Sequence, residues 1–347
     1  MKSFEGRFDD RLPLSHELVR TARSLGEYRG RAELYRAQMP EVLETLRAAS
    51  MVQSVESSSR IEGVTAAPKR LREIMAEKTG PRDRSEQEIA GYRDALASIH
   101  TNHGAMKLRP NLVLQLERDL FKYTDTEGGR WKSAQNLISE RRPDGTEYIR
   151  FEPVEPYLVD EYMARLQSGF DALWSAGEID RLLLIPAYVL DFLCIHPFPD
   201  GNGRMARLLT TLLLYKAGYE VGRFVSLERV IEESKESYYE ALRLSSEQWH
   251  EGKHDLGPWT SYLLGTFIAA YREFESRVGA MTGGRGAKTE MVTDAIGRFA
   301  GDFSVAELQA ACPNVGIDLI RRLLAKGQAA GALECLGRGP AARWRRK

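Results

Sequence analysis

The sequence predicts a mainly helical protein with one small β-hairpin and a separate C-terminal module. Three observations carry this. Two leucine-rich apolar runs, 182–195 and 208–215, are long enough to be buried helices rather than strands. Further segments place apolar residues at helical spacing among charges. The β-prone runs are short, and two of them flank a Pro143-Asp144-Gly145-Thr146 turn.

The elements follow in order. A solvated helix is expected over 27–38, with Tyr28, Leu34 and Tyr35 on its packed face. Pro40 suits the first turn of a second helix, which runs through Leu43, Leu46 and Val55 to Ile61, with Gly63 as its C-terminal cap. Ser85 and Glu88 form a capping-box pattern before Ile89, Tyr92, Leu96 and Ile99. An amphipathic helix is expected over 111–123 and a hairpin over 136–139 and 148–151. Pro258-Trp259 opens a helix through Leu263, Phe267 and Tyr271 to about residue 278. The domains expected are a helical region 1–110 containing the helix 41–63, a core 111–278 with the hairpin segment 130–152, a glycine-rich linker 279–287 and a tail 288–347.

The 347 residues can bury a sizeable core, and their 49 Lys and Arg balance 49 Asp and Glu. No global charge therefore argues for nucleic acid or membrane. Cys194, Cys312 and Cys335 are scattered without metal-site spacing, which fits buried thiols in a reducing cytoplasm. The charged N-terminus does not read as a signal peptide, and Arg181, Asp191 and Arg204 interrupt every apolar stretch, so no membrane span is expected.

Between the two apolar runs lies His196-Pro197-Phe198-Pro199-Asp200-Gly201-Asn202-Gly203-Arg204-Met205-Ala206-Arg207. The prolines stop the first helix, Asp200 or Asn202 can cap the second, and the glycines let the backbone approach a ligand. A helix starting near Gly203 points free amides and a positive dipole end at an anion. Arg204 and Arg207, three apart, could clamp two phosphates. Asp200 is a hard oxygen ligand suited to Mg2+, and His196 can take a proton from a hydroxyl. Together they describe nucleotidyl or phosphoryl transfer; a capped interhelical loop is the bland alternative. Gly201 to Ala206 also fits the loose G-x-G-x-x-G/A pattern, but no β-rich strand precedes it.

The stretch resembles the Fic signature H-P-F-x-D/E-G-N-G-R-x-x-R at every fixed position. The resemblance implies a Fic-type helical fold and AMP transfer from ATP to a Tyr, Thr or Ser hydroxyl of a target protein and of the enzyme itself. It makes His196 the general base, Asp200 the Mg2+ ligand and Gly201, Asn202 and Gly203 the anion hole. Arg204 would bind phosphate and Arg207 the γ-phosphate of ATP.

Ser58-Ser59-Arg60-Ile61-Glu62-Gly63 is similar to the inhibitory S/T-x-x-x-E-G/N pattern of many Fic proteins, which implies that Glu62 pairs with Arg207. A helix that simply ends in an exposed glutamate is the alternative. The hairpin matches the position of the Fic flap, which holds the target by strand addition, with Ile138 nearest the nucleotide. Ser234 to Leu242 resembles the paired-tyrosine segment that lines the family's nucleotide site, so Tyr238 and Tyr239 would bound the adenine; plain core packing is the alternative. Seven residues after Tyr239, where some relatives have asparagine, stands Ser246. The tail resembles the winged helix-turn-helix of many bacterial Fic proteins, made basic by Arg321, Arg322, Arg338, Arg343, Arg345, Arg346 and Lys347. It is either a nucleic-acid contact or a packing module. A homodimer is left open.

His250-Glu251-Gly252-Lys253-His254 matches H-E-x-x-H, but Gly252 and the following Asp255-Leu256-Gly257-Pro258 do not sustain the continuous helix that motif needs. The sequence therefore reads as a cytoplasmic adenylyltransferase restrained by Glu62. Its rivals are hydrolysis of AMP from a modified protein at the same site, and a winged-helix DNA-binding regulator with a nucleotide-sensing domain.

Overall fold

A computed structural model describes the chain except residues 39, 142–143, 283–286, 300, 313–314, 338, 340–341 and 347. Pro143, the middle of the expected linker, Arg338 and Lys347 thus lie outside the described residues. The helices in chain order are α1 (His16–Gln38), α2 (Pro40–Ile61), α3 (Pro68–Met75), α4 (Arg84–Asn102), α5 (Pro110–Leu120), α6 (Val159–Ala176), α7 (Arg181–Ile195), α8 (Asn202–Lys216), α9 (Leu227–Glu233), α10 (Lys235–Ser246) and α11 (Gly257–Thr282). β1 (Ile138–Arg141) and β2 (Glu147–Phe151) form an antiparallel hairpin between α5 and α6. In the tail, α12 (Ala287–Arg298), α13 (Val305–Ala311) and α14 (Ile317–Ala329) accompany a three-stranded sheet. Its strands β3 (Phe303–Ser304), β4 (Leu333–Leu336) and β5 (Arg343–Arg346) lie in the order β3-β5-β4.

The chain divides into two compact units: residues 1–33 with 46–271, and residues 34–45 with 272–347. At the centre of the first is the pair α7 and α8, the two leucine-rich runs. Nearly every residue of both is buried: α7 is apolar on nearly all sides and must be surrounded, and α8 buries its leucines together with Arg204, Arg207, Thr210 and Thr211. α6 packs on α7, and α4 packs on α5 and α8. Where α4 meets the end of α5 the backbones touch: a Cβ on Gly91 would stand 1.9 Å from the Leu120 carbonyl oxygen. Gly91→Ala is expected to lower unfolding free energy by about 1–3 kcal/mol or more, since backbone cannot yield as a side-chain end can. Urea denaturation followed by circular dichroism measures this.

In the tail unit, Phe303, Leu308, Ile320, Leu324 and Leu333 pack with Val292 into a small core. Ser304 caps α13 with a capping box through Glu307. The strand at Phe303 is too short for period-two patterning to show in the sequence.

Several local expectations change, and α1 starts at His16 rather than near residue 27. α4 begins one residue before Ser85 and is capped by Asp83, whose Oδ1 accepts from the Glu86 amide at 2.9 Å. Asp83 is extended and already supplies the side-chain acceptor, which leaves Glu88 inside the helix and free to pair elsewhere. α8 has Gly201 at its N-cap rather than Asp200 or Asn202. Asn202 instead clasps the backbone of one residue: its Oδ1 accepts from the Phe198 amide at 3.0 Å and its Nδ2 donates to the Phe198 carbonyl at 2.7 Å. α11 runs to Thr282, so the first residues of the expected linker are helical.

Candidate active site

α7 ends at Ile195, and His196 follows in the left-handed conformation, φ 51° and ψ 60°, its amide still bonded to the Phe192 carbonyl at 2.9 Å. A histidine there is uncommon and aims the side chain away from the helix path. The imidazole Nδ1 donates to the Leu193 carbonyl at 3.3 Å, which leaves Nε2 as the free acceptor. Burial holds the imidazole down to about 4, with the nearby Lys132 charge adding to it and the Leu193 bond opposing it. His196 is therefore neutral near pH 7.

The turn after it is tied to the segment before the hairpin. The Lys132 amide donates to the Pro197 carbonyl at 2.8 Å, and Asn136 Nδ2 donates to the Phe198 carbonyl at 2.7 Å. The buried Phe198 ring packs against Trp131, centroids 5.2 Å apart. Gly201, at φ +79°, turns the chain into α8 at a place where a Cβ would press on Phe121 and Leu120.

Glu62, Ile138, His196, Asp200, Gly201, Asn202, Gly203, Arg207, Tyr238 and Tyr239 line one cleft. The structure thus gathers most of the candidate residues, although they lie as far apart in sequence as Glu62 and Tyr239. Ser246 lines it too. Tyr238 is 3% exposed and packs edge-on against Trp259, whereas Tyr239 is 37% exposed at the rim.

Arg204 does not line the cleft. Its Nη1 donates to Glu88 Oε2 at 2.7 Å, both groups are buried, and its guanidinium lies over the Phe121 ring. A spacing of three brings Arg204 and Arg207 near one face, but each turns to its own carboxylate, so they do not form one two-armed clamp. Glu88 was missed because a glutamate near a helix start reads as a capping residue. Asp200 stays open to solvent, with Arg84 Nη2 at 3.6 Å and Arg204 Nη2 at 3.7 Å from its two oxygens.

Arg207 is held from α2. Its Nη2 donates to Glu62 Oε1 at 2.7 Å and to the Ser58 carbonyl at 3.1 Å, and its Nε donates to Ser58 Oγ at 2.9 Å. Burial alone would raise the Glu62 carboxyl, but the Arg207 charge and hydrogen bond outweigh it and hold the group below the usual carboxylate range. The geometry at the end of α2 is well fastened. Gly63 turns at φ +78°, and the Val64 amide donates back to the Ser59 carbonyl at 2.9 Å. Lys235 Nζ donates to the Ile61 carbonyl at 2.8 Å, and Arg60 Nε meets Glu232 Oε1 at 2.6 Å. Gly203 leaves room for the carboxylate, since a Cβ there would fall 2.5 Å from Glu62 Oε1.

The H-E-x-x-H segment lies in a turn rather than a helix. His250 Nε2 bonds to the Glu152 carbonyl and His254 Nε2 to Ser3 Oγ, so the two imidazoles serve different elements. Among the described residues no group of three or more His, Cys, Asp or Glu is placed to hold a metal. In the tail, Arg345 pairs with Asp302 at 2.7 Å, Arg343 donates to the Asp302 carbonyl at 2.6 Å and Arg346 to the Gly297 carbonyl at 2.9 Å. Much of the basic cluster thus serves its own fold, while Arg321 and Arg322 stay exposed on α14.

A sequence model described as Fic/DOC family matches residues 107–214, which include β1, β2 and the whole signature. A Fido domain-containing protein of Dictyostelium discoideum is 30% identical over 123 residues, 81% of that relative's length and 35% of this chain. This chain belongs to the Fic/DOC family. It is also 27% identical over 205 residues to a protein adenylyltransferase Fic of Culex quinquefasciatus, covering 56% of this chain. The match spans only 37% of that relative. Among solved structures, a Fic family protein from Desulfovibrio desulfuricans G20 has a TM-score of 0.63 at 22% identity, covering 96% of this chain and 97% of that one. A Fic domain-containing signaling protein from Bacteroides thetaiotaomicron has a TM-score of 0.59 at 18% identity, covering 75% and 96%. At these identities the likeness establishes a shared Fic fold, mainly helical with a small two-stranded hairpin. No described helix is long and apolar enough to cross a membrane.

Proposed function

We propose that this Fic/DOC protein transfers AMP from ATP to a hydroxyl of a protein, itself included. The observation that carries this is the meeting, in one cleft, of a neutral His196 with Asp200, the Gly201 to Gly203 backbone and Arg207. A target hydroxyl approaches Nε2, the ring atom not engaged with Leu193, and gives up its proton as its oxygen attacks the α-phosphate. The amides at the start of α8 stabilise the charge that develops, and pyrophosphate leaves. Asp200 fits Mg2+, which typically needs one or two carboxylates and takes phosphate oxygens and water for the rest. When bound it supplies neutralisation of the phosphate charge.

Glu62 restrains the enzyme by occupying the Arg207 guanidinium that the γ-phosphate would otherwise take. The hairpin offers the target an edge for strand addition, with Ile138 closest to the nucleotide. The three helices and β3-β5-β4 sheet of the tail suit a winged-helix module, with exposed Arg321 and Arg322 as the groups available to a partner such as DNA. Incubation of the protein with α-labelled ATP and Mg2+, followed by mass analysis of labelled chains, tests the reading; no labelled protein from either the parent or a Glu62→Gly variant would refute it.

A second reading has one observation in its favour. Glu62 lines the same cleft as His196, where a carboxylate can orient water onto an AMP-modified side chain. Release of AMP from a pre-modified target, lost on Glu62→Gly, would establish it.

The base sets the pH dependence. Because the folded-state imidazole is held down to about 4, it stays in the basic form at higher pH. Transfer limited by His196 should be flat above about pH 5 and fall as pH drops through about 4. A rate profile with an acid limb near 6.5 would contradict this.

A further inference from the structure

The charges of the cleft leave one arginine unaccounted for. Arg207 is held by Glu62 and Arg204 by Glu88. Arg150, on β2, lines the same cleft as His196 and Asp200, and its Nη1 is buried without a hydrogen-bond partner. No carboxylate among the described residues forms an ion pair with it. Buried donors are normally satisfied, so an arginine that lines a cleft with one donor orphaned is short of an acceptor among the described residues.

The hairpin is shaped to bring it there. Consecutive strand residues point to opposite faces, yet Arg150 and Phe151 both line the cleft. The register explains this: Ile138 faces Phe151 while Ser139 faces Ile149, so Arg150 has no residue opposite it and sits at a β-bulge. Bulges re-aim a side chain beside a site. The Arg150 charge is also one of those that lower the His196 imidazole, and it acts on Tyr239 and Cys194 as well. Arg150 therefore stands close to the base.

We propose that Arg150 is a further catalytic residue: from the hairpin side it binds a non-bridging oxygen of the nucleotide's α-phosphate and holds the charge that builds there. The proposal rests on the AMP-transfer reading. In that step the hydroxyl oxygen bonds to Pα, and the bond from Pα to the pyrophosphate oxygen breaks. The electron pair leaves with pyrophosphate, and the hydroxyl proton passes to His196 Nε2. A guanidinium donating to the α-phosphate opposes the charge without entering the bond changes. Strand pairing between the hairpin and a target would settle the arginine further into the site.

The test uses the full chain in the Glu62→Gly background, with Arg150→Ala and Arg150→Lys, in self-modification and with a generic protein acceptor. kcat/KM for ATP should fall about tenfold in Arg150→Ala and recover in part with lysine, which keeps the charge but not the fork. The sharper readout is α-thio-ATP. One diastereomer should react more slowly than ATP in the Glu62→Gly protein, and that ratio should shrink in Arg150→Ala because the contacted oxygen has lost its donor. Unchanged kcat/KM for ATP and an unchanged thio ratio would overturn the proposal. A change confined to acceptor concentration dependence would overturn it too and assign Arg150 to an acidic group on the target. If Glu62→Gly transfers no AMP, the transfer reading itself fails, and ADP binding by calorimetry decides the contact separately. Binding about tenfold weaker in Arg150→Ala would support it, and equal binding would end it.

Discussion

Replacing His196 by alanine is expected to lower AMP transfer by about 10²–10⁴, the usual cost of removing a general base. The imidazole is placed for this role alone. Its Nδ1 is committed to Leu193, and burial keeps the ring neutral. Phosphate contacts belong to other groups, so ATP binding should persist. The left-handed backbone at residue 196 costs alanine something as well, but the amide bond to Phe192 closes α7 whichever side chain is present. Transfer by the variant within a few-fold of the parent, at equal folded fraction, would remove His196 from the mechanism.

Glu62→Gly is expected to speed transfer roughly ten- to a hundredfold. A charged hydrogen bond to an arginine is worth about 1.5–3 kcal/mol, and each 1.4 kcal/mol is a factor of ten. Removing it frees Arg207 for the γ-phosphate and brings the α-phosphate into line with the attacking oxygen. The gain should require Arg207, so Glu62→Gly with Arg207→Ala should be no faster than Arg207→Ala alone. Stability should move in the opposite direction, because Arg207 is left buried with only its Ser58 partners. ATP should then raise the melting temperature of the variant more than that of the parent. Equal self-modification rates at the same ATP and Mg2+ concentrations would sink the inhibitory reading and leave the signature intact.

Much of the fold was legible from local chemistry. α7 and α8 follow from the two apolar runs, and the glycine turn at Gly63 falls where turn chemistry puts it. α3, α6 and α9 were not read: α3 and α9 span only eight and seven residues, whereas α6 buries Val159, Met163, Leu166 and Phe170 at helical spacing and was open to the same reading. The cap of α4 was misplaced by two residues because Asp83 and Ser85 are both good caps, and only the backbone chooses between them. Arg150 escaped notice for a similar reason. An arginine in an alternating strand reads as solvent-facing, and a bulge that turns it inward leaves no trace in composition.

The sequence by itself determined the helical class and the twelve-residue joint at His196, because these depend on residues close together in the chain, where spacing, caps and breakers act directly. The tertiary structure decided which charges meet. Arg204 faces Glu88 and Arg207 faces Glu62, pairs separated by more than a hundred residues. Such pairings depend on which helix faces are buried against each other, and these two buried guanidiniums take the carboxylates that the packing leaves within reach.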